Sequence, residues 1–328
     1  MSTQPVYSQN KEDKPLVSFV VTYYSEPVDM LKECISSILA LSLNETERQI
    51  IVVDDGADYS PINELLALSS NIVYVRQPNR GLGQARNTGI ELAEGSFIQF
   101  IDGDDLLLTS AYEQCLDIIR YRETDMVLFQ STDKKTSKPL ADAEGPISGT
   151  EYMTHNNLRG SVWTFLFRKE ILHDLRFPKG ILHEDEEFTP QLMLRAENLY
   201  FTNNKAYYYR KREGSIMHKR DKRWHIRRLA DAEQVLYRLK ERVDYLPVKE
   251  RIAMERRIAQ LTMDHIYNVI TMTHDETHLN HVLQRLSRHG LFPLPDKDYT
   301  SKYKWFRRMT NSSFGRKTLI MLLRINKG

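Results

Sequence analysis

The chain has 328 residues, 41% hydrophobic and 27% charged, near the averages for soluble globular proteins. That composition excludes a disordered or fibrous chain and leaves material for one large domain or two ordinary ones. Its 46 basic and 44 acidic residues leave a net charge of +2, so there is no overall field for nucleic acid and any basic patch must be local. Cys34 and Cys115 are too few for a disulfide framework or a thiolate metal site, which favours a reducing compartment and the cytoplasmic side.

Residues 1–14 are polar and carry Glu12 and Asp13 where a signal peptide needs an apolar core, so a short disordered arm is expected. Val17 to Tyr23 predicts a strand, and the helical spacing of Met30, Leu31, Cys34, Ile35, Ile38 and Leu39 predicts a helix after it. Gln49 to Val53 is a second apolar strand running into Asp54, Asp55 and Gly56. A helix over 62–68, a strand over 72–76, a helix over 84–93 and a strand over 96–101 follow, the last ending abruptly at Asp102. This alternation predicts an α/β fold with a mostly parallel sheet covered by helices on both faces. Ligands bind beyond the carboxyl ends of such strands, where Asp54, Asp55 and Asp102 to Asp105 are expected to converge.

Beyond that half, a helix over 111–122 and a strand over 125–130 are predicted, then a polar loop or edge hairpin over 132–149. A second lobe takes 161–167, a helix over 169–175, a helix over 184–196 and an aromatic strand over 205–210. From Arg220 to about Gly290 the pattern is helical and strongly charged. No apolar run approaches the roughly 18–20 residues a membrane-spanning helix requires.

Three acidic residues within Asp102-Gly103-Asp104-Asp105 need an explanation, because crowded like charges repel unless a cation sits among them. A hard divalent ion suits the set, since Mg²⁺ or Mn²⁺ takes one or two carboxylates and fills its other positions with phosphate oxygens and water. A solvated turn capping the next helix through Asp105 or Thr109 is the alternative that the tetrapeptide leaves open.

Four segments, Val17-Ser18-Phe19-Val20-Val21-Thr22-Tyr23-Tyr24, Ile50 to Gly56, Gly81-Leu82-Gly83-Gln84-Ala85-Arg86-Asn87-Thr88-Gly89 and Phe100 to Asp105, resemble in order and spacing the family 2 glycosyltransferases of the GT-A fold. Val162 to Arg168, His183-Glu184-Asp185-Glu186 and Tyr207 to Ile216 resemble acceptor-side motifs of its bacterial polysaccharide and cell-surface members. The resemblance implies a metal-dependent, inverting transfer from a nucleotide sugar, with UDP as the expected nucleotide, to a glycan or lipid-linked acceptor. Thr22, Tyr24 and Asp54 or Asp55 would border the base; Arg86 and Asn87 would approach the nucleotide or diphosphate. Asp102 and Gly103 would lie on the ribose side, and Asp104, with Asp102 and His218, would hold Mn²⁺ or Mg²⁺. Arg210, Arg212, Ser215 and His218, on a loop just after the aromatic strand, would fold over the departing diphosphate, which gains charge in the transition state; a solvated basic loop is the alternative. Trp163 and His183 would line the acceptor pocket.

Inverting transfer needs a base for the acceptor hydroxyl, and the resemblance places Asp185 there, with Glu184 next in line. The same acidic run also suits the first turn of a helix, where the macrodipole favours it. A sugar-phosphate nucleotidyltransferase is a rival, although Thr22-Tyr23-Tyr24-Ser25-Glu26-Pro27 stands where its glycine-rich loop would follow the first strand. A non-catalytic relative that binds nucleotide sugar or glycan is the other. The expected organisation is the arm at 1–14, a catalytic domain at 15–218 with a nucleotide-sugar half (15–110) and an acceptor half (111–218), and a helical region at 219–328.

From Ser301 onward there are eight basic residues and no acidic one, interleaved with Trp305, Phe306, Met309, Phe314 and Leu319 to Leu323. Peripheral contact of 301–328 with the inner face of the plasma membrane, or packing of these helices on the protein's own core, would each explain the pattern.

Overall fold

The computed structural model describes residues 14–136, 143–211 and 222–325. The chain divides into two compact units: Met1–Gly149, Gly160–Gly180 and Gln191–Ser215 make the first, and Thr150–Arg159, Ile181–Pro190 and Ile216–Gly328 the second.

In the first unit nine strands form one sheet in the order β3-β2-β1-β4-β8-β6-β9-β5, with β7 paired to β9. The half made by β1 (Val17–Tyr23), β2 (Arg48–Asp54), β3 (Ile72–Arg76) and β4 (Phe97–Asp102) is wholly parallel. Every residue of β1 is buried, as expected of a central strand covered on both faces, which therefore shows no alternation. Against this half lies α1 (Val28–Leu39), whose buried Leu31, Cys34, Ile35 and Ile38 recur at helical spacing; α2 (Ile62–Leu66) and α3 (Leu82–Leu92) complete it. Full burial of one such side chain is worth about 1.5–3 kcal/mol, so this stripe alone anchors α1.

The other half is mixed. After β5 (Leu106–Leu107) and α4 (Thr109–Tyr121), β6 (Met126–Thr132) runs antiparallel to β8 (Phe165–Arg168) and parallel to β9 (Leu199–Tyr208). Two expectations change here, and the loop or edge hairpin expected over 132–149 is sharpened. The strand expected over 205–210 begins at Leu199, because Leu199, Tyr200 and Phe201 pair with Met126, Val127 and Leu128 before a register shift; Asn203, Asn204 and Lys205 hide it from a periodicity argument. Within the polar 132–149 stretch the structure shows β7 (Ala143–Ile147), an edge strand held to β9 by backbone pairing that needs no apolar pattern, followed by α5 (Gly149–His155). The helix expected over 169–175 is a single 3₁₀ turn, Lys169–Leu172, ended by His173 at φ 44°.

The second unit is helical: α5, the start of α6 (Glu184–Met193), α7 (Lys222–Val243), α8 (Val248–Thr273), α9 (Glu276–Arg288), α10 (Ser301–Thr310) and α11 (Ser313–Ile325). Among the described residues no helix is long and apolar enough to cross a membrane. Between α7 and α9, Arg285 clasps Glu233 through Nε (2.7 Å) and Nη2 (2.9 Å), and Tyr237 Oη donates to the same carboxylate. Burial pushes Glu233 up, but the bonds from Arg285, His265 and Tyr237 outweigh it and hold the carboxyl well below its usual range. A depressed carboxylate stabilises above its unfolded pKa, about 4.3, and that stability is lost as the pH falls below it toward the folded value. Arg285→Gln should therefore cost about 1–2 kcal/mol at neutral pH and make the melting temperature less steep in acid, read by calorimetry between neutral pH and pH about 3. An unchanged acid limb would refute the assignment.

Candidate active site

Parallel strands end where their helices begin, so the carboxyl ends of β1, β2 and β4 bring Thr22, Asp54, Asp55 and Asp102 to one edge of the first unit. Gly103 lets the chain turn there: a Cβ on it would lie 2.8 Å from the carbonyl oxygen of Thr22, which accepts the Gly103 N–H at 2.9 Å.

The three carboxylates after β4 have three different environments. Asp102 Oδ1 takes Arg86 Nη2 at 3.0 Å, and Thr22 also bonds to it. Burial raises the Asp102 pKa even against the Arg86 charge, and Asp104 adds to the rise. Asp105 is buried; its Oδ2 accepts the Tyr207 hydroxyl (2.7 Å) and its Oδ1 the Arg210 N–H (2.7 Å). Burial and the charges of Asp102 and Asp104 push Asp105 up to about 8. Asp104 lies half-buried between them, and its carbonyl oxygen accepts from Arg210 Nε at 2.7 Å.

This donor set fits a divalent cation. The loop concentrates negative charge that its protein partners only partly offset, and Asp102 and Asp104 are hard oxygen ligands of the kind and number Mg²⁺ or Mn²⁺ takes beside a diphosphate. Among the described residues no group of three or more His, Cys, Asp or Glu side chains is arranged as a metal site; His218, the third expected ligand, lies outside them.

Asp54 and Asp55 hold the neighbouring wall. Asp54 is fully buried, accepting from Ala57 N (2.7 Å) and Tyr74 Oη (2.6 Å). Asp55 accepts from Gln77 Nε2 (2.7 Å), Arg80 N (2.9 Å) and Gly81 N (2.8 Å), pinning the loop that enters α3. At the end of that loop Gly81 adopts φ 89°, a conformation only glycine takes without strain. Tyr24 is exposed beyond β1. Arg86 is 3% exposed; besides Asp102 it faces the Phe177 ring at 5.6 Å. Asn87 is not among the carboxylates: its amide donates to Phe177 O (2.9 Å) and accepts Phe177 N–H (2.9 Å), fastening α3 to that segment. Trp163 stacks on Tyr207 with centroids 4.5 Å apart and on Tyr209 at 5.7 Å, so one aromatic face is already covered by protein. Arg212, Ser215 and His218 lie outside the described residues.

His183, Glu184 and Asp185 belong to the second unit, at the start of α6. His183 sits at φ 65° and accepts from Arg228 Nε at 3.3 Å; burial, then the Arg228 charge, lowers its pKa. Of the four acidic residues opening α6, the last two are engaged by other helices: Glu186 pairs with Arg257 of α8, and Glu187 with Arg238 of α7 at 3.5 Å. Asp185 Oδ1 accepts the Glu186 N–H at 2.9 Å, which aims that carboxylate from the helix end. Glu184 is buried.

Tyr207 and Glu33 were not expected at the acidic loop, and Arg210, expected as a cation over the diphosphate, is held there by protein groups. Tyr207 Oη accepts Asp102 N–H (3.2 Å) while donating to Asp105, and Arg210 reaches from the Asp104 carbonyl to Glu33 on α1 (2.8 Å). The signal was the Tyr207-Tyr208-Tyr209-Arg210 run, but its target appears only once β5 pairs with β9, Leu107 opposite Tyr207.

A family model described as glycosyl transferase family 2 matches residues 18–174. The uncharacterized glycosyltransferase EpsJ of Bacillus subtilis is 31% identical over 220 residues, covering 62% of this chain and 63% of that protein. GgaB of Bacillus subtilis, a minor teichoic acid biosynthesis protein, is 30% identical over 195 residues, or 56% of this chain and 22% of its own. The chain thus spans less than two-thirds of either relative. In fold it is similar to S. aureus TarS, solved in complex with UDP-GlcNAc, with a TM-score of 0.67 at 18% identity over 94% of this chain and 89% of that one.

Proposed function

The chain belongs to the family 2 glycosyltransferases, and from that premise we propose that it moves a sugar from a UDP-sugar to a glycan or lipid-linked acceptor of a surface polysaccharide, with inversion and with Mn²⁺ or Mg²⁺. The observation that carries this reading is the unequal treatment of the acidic loop. Arg86 holds Asp102, Tyr207 and Arg210 hold Asp105, and Asp104 is kept between them by its own carbonyl bond.

In this reading Asp104 and Asp102 hold the ion, which when bound neutralises charge on the leaving diphosphate. Thr22, Tyr24 and the loop pinned by Asp55 border the nucleotide base. Asp54 and Asp55 act chiefly by shaping that wall, since their oxygens already accept bonds from the chain; direct acceptance from the ring would require sharing one of them. Arg212, Ser215 and His218 cover the diphosphate. Asp185, or Glu184 beside it, takes the acceptor proton, and Trp163 and His183 border the acceptor. The nucleotide half lies within 15–110, the acceptor half within 111–218, and the protein works at the cytoplasmic side of the membrane.

The test is release of nucleoside diphosphate from a panel of nucleotide sugars, with and without Mn²⁺. Asp104→Ala should weaken metal-dependent binding of UDP by about tenfold or more in calorimetry while leaving metal-free binding unchanged. A folded chain that turns over no nucleotide sugar, with acceptors and metal supplied, would overturn the reading.

A further inference from the structure

The last two helices carry more apolar surface than their own packing uses. On α10, Tyr303, Phe306 and Thr310 are buried against the rest of the second unit, and on α11 Leu319 is buried, so core packing accounts for these four. It does not account for Trp305 (51% exposed), Phe314 (82%), Met321 (61%) or Leu322, which point away from it.

These residues are ordered with positive charge. On α10 the exposed Trp305 and Arg308 lie on the side away from Phe306, whereas Lys302, one turn before Phe306, reaches over the Tyr267 ring of α8 at 5.9 Å. On α11 Phe314, Lys317, Met321 and Arg324 recur at i, i+3, i+7 and i+10, a single outward stripe. Lys304 and Arg307 are tied to Asp298 and Asp296 of the preceding segment, and Lys317 lies 3.9 Å from Glu276, but from Ser301 onward the chain itself supplies no acidic residue. An outward face of aromatic and basic side chains matches a surface that is apolar a few ångströms below a layer of negative charge.

We propose that the outward faces of α10 and α11 dock on the surface of an anionic lipid bilayer, with Phe314, Trp305 and Met321 entering the headgroup boundary and Arg308, Lys317 and Arg324 meeting lipid phosphates. The contact lies in the interface plane and spans nothing. It goes beyond the transferase reading and does not depend on it.

The experiment is flotation of the full chain with vesicles of phosphatidylcholine mixed with phosphatidylglycerol, against phosphatidylcholine alone. Binding should require the anionic lipid and weaken with salt. Phe314→Ser/Met321→Ser should lower the partition onto anionic vesicles about tenfold or more, and Arg308→Gln/Arg324→Gln should lower it and flatten the salt dependence, with melting temperatures unchanged. Equal binding by these variants, or no binding by the unaltered chain, overturns the proposal. So does a concentration-dependent dimer, seen by light scattering, that Phe314→Ser dissolves, because a second copy would then be the occupant. Nucleoside diphosphate release measured without vesicles on the same samples separates the two readings: turnover without vesicle binding fails only this one, and binding without turnover fails only the transferase.

Discussion

Asp185→Asn should lower kcat by about 10²–10⁴-fold while leaving UDP-sugar binding within about twofold. Asparagine keeps the size of the side chain and the oxygen that accepts the Glu186 N–H, so the start of α6 should hold its shape while the basic carboxylate is lost. The neighbours in the run are poor substitutes. Glu186 and Glu187 are engaged by Arg257 and Arg238. Single-turnover transfer measured beside calorimetric donor binding checks this. Normal transfer by Asp185→Asn together with inactivity of Glu184→Gln would move the base one residue back.

Arg86→Gln should destabilise the first unit by about 2–3 kcal/mol, because it strips a packed carboxylate of its cation and leaves a void against the Phe177 ring. Asp102 keeps 26% of its side chain in contact with solvent, which places the expected cost below that of a fully enclosed pair. A fall of roughly 5–10 °C in melting temperature follows. Arg86→Lys should not restore it, since an ammonium group cannot bond Asp102 while presenting a planar face to Phe177. Asp102→Asn combined with Arg86→Gln should recover part of the loss, because no uncompensated charge remains. If Arg86→Gln melts normally and only UDP affinity falls, the guanidinium serves the diphosphate and not Asp102.

Arg86 illustrates where the sequence was informative and where it was not. Its position one turn into a helix after a glycine-bearing loop singled it out, and the structure sets it against Asp102 at the end of β4. Its partner was hidden, because Arg86 lies inside α3 and Asp102 stands 16 positions on at the far end of β4, and only the packing of α3 on the sheet brings the two together. Asn87, adjacent in sequence, points elsewhere: helix geometry turns each successive side chain by about 100°, so one of two neighbours can face the carboxylates while the other fastens Phe177. A motif read as a string treats both alike.

The sequence by itself determined the parallel half of the sheet, the strand ends that collect Asp54, Asp55 and Asp102, and the crowding of charge in the acidic loop. These follow from continuous apolar runs and from where such runs stop, which are local properties of the chain. The partners of Asp102 and Asp105 came only with the folded chain. It placed Tyr207 and Arg210, about a hundred residues downstream, against Asp105 and the Asp104 carbonyl. It also decided which apolar residues of α10 and α11 are core and which face outward. Both are questions of long-range pairing, set by the register of β9 and the docking of helices, and no local periodicity encodes them.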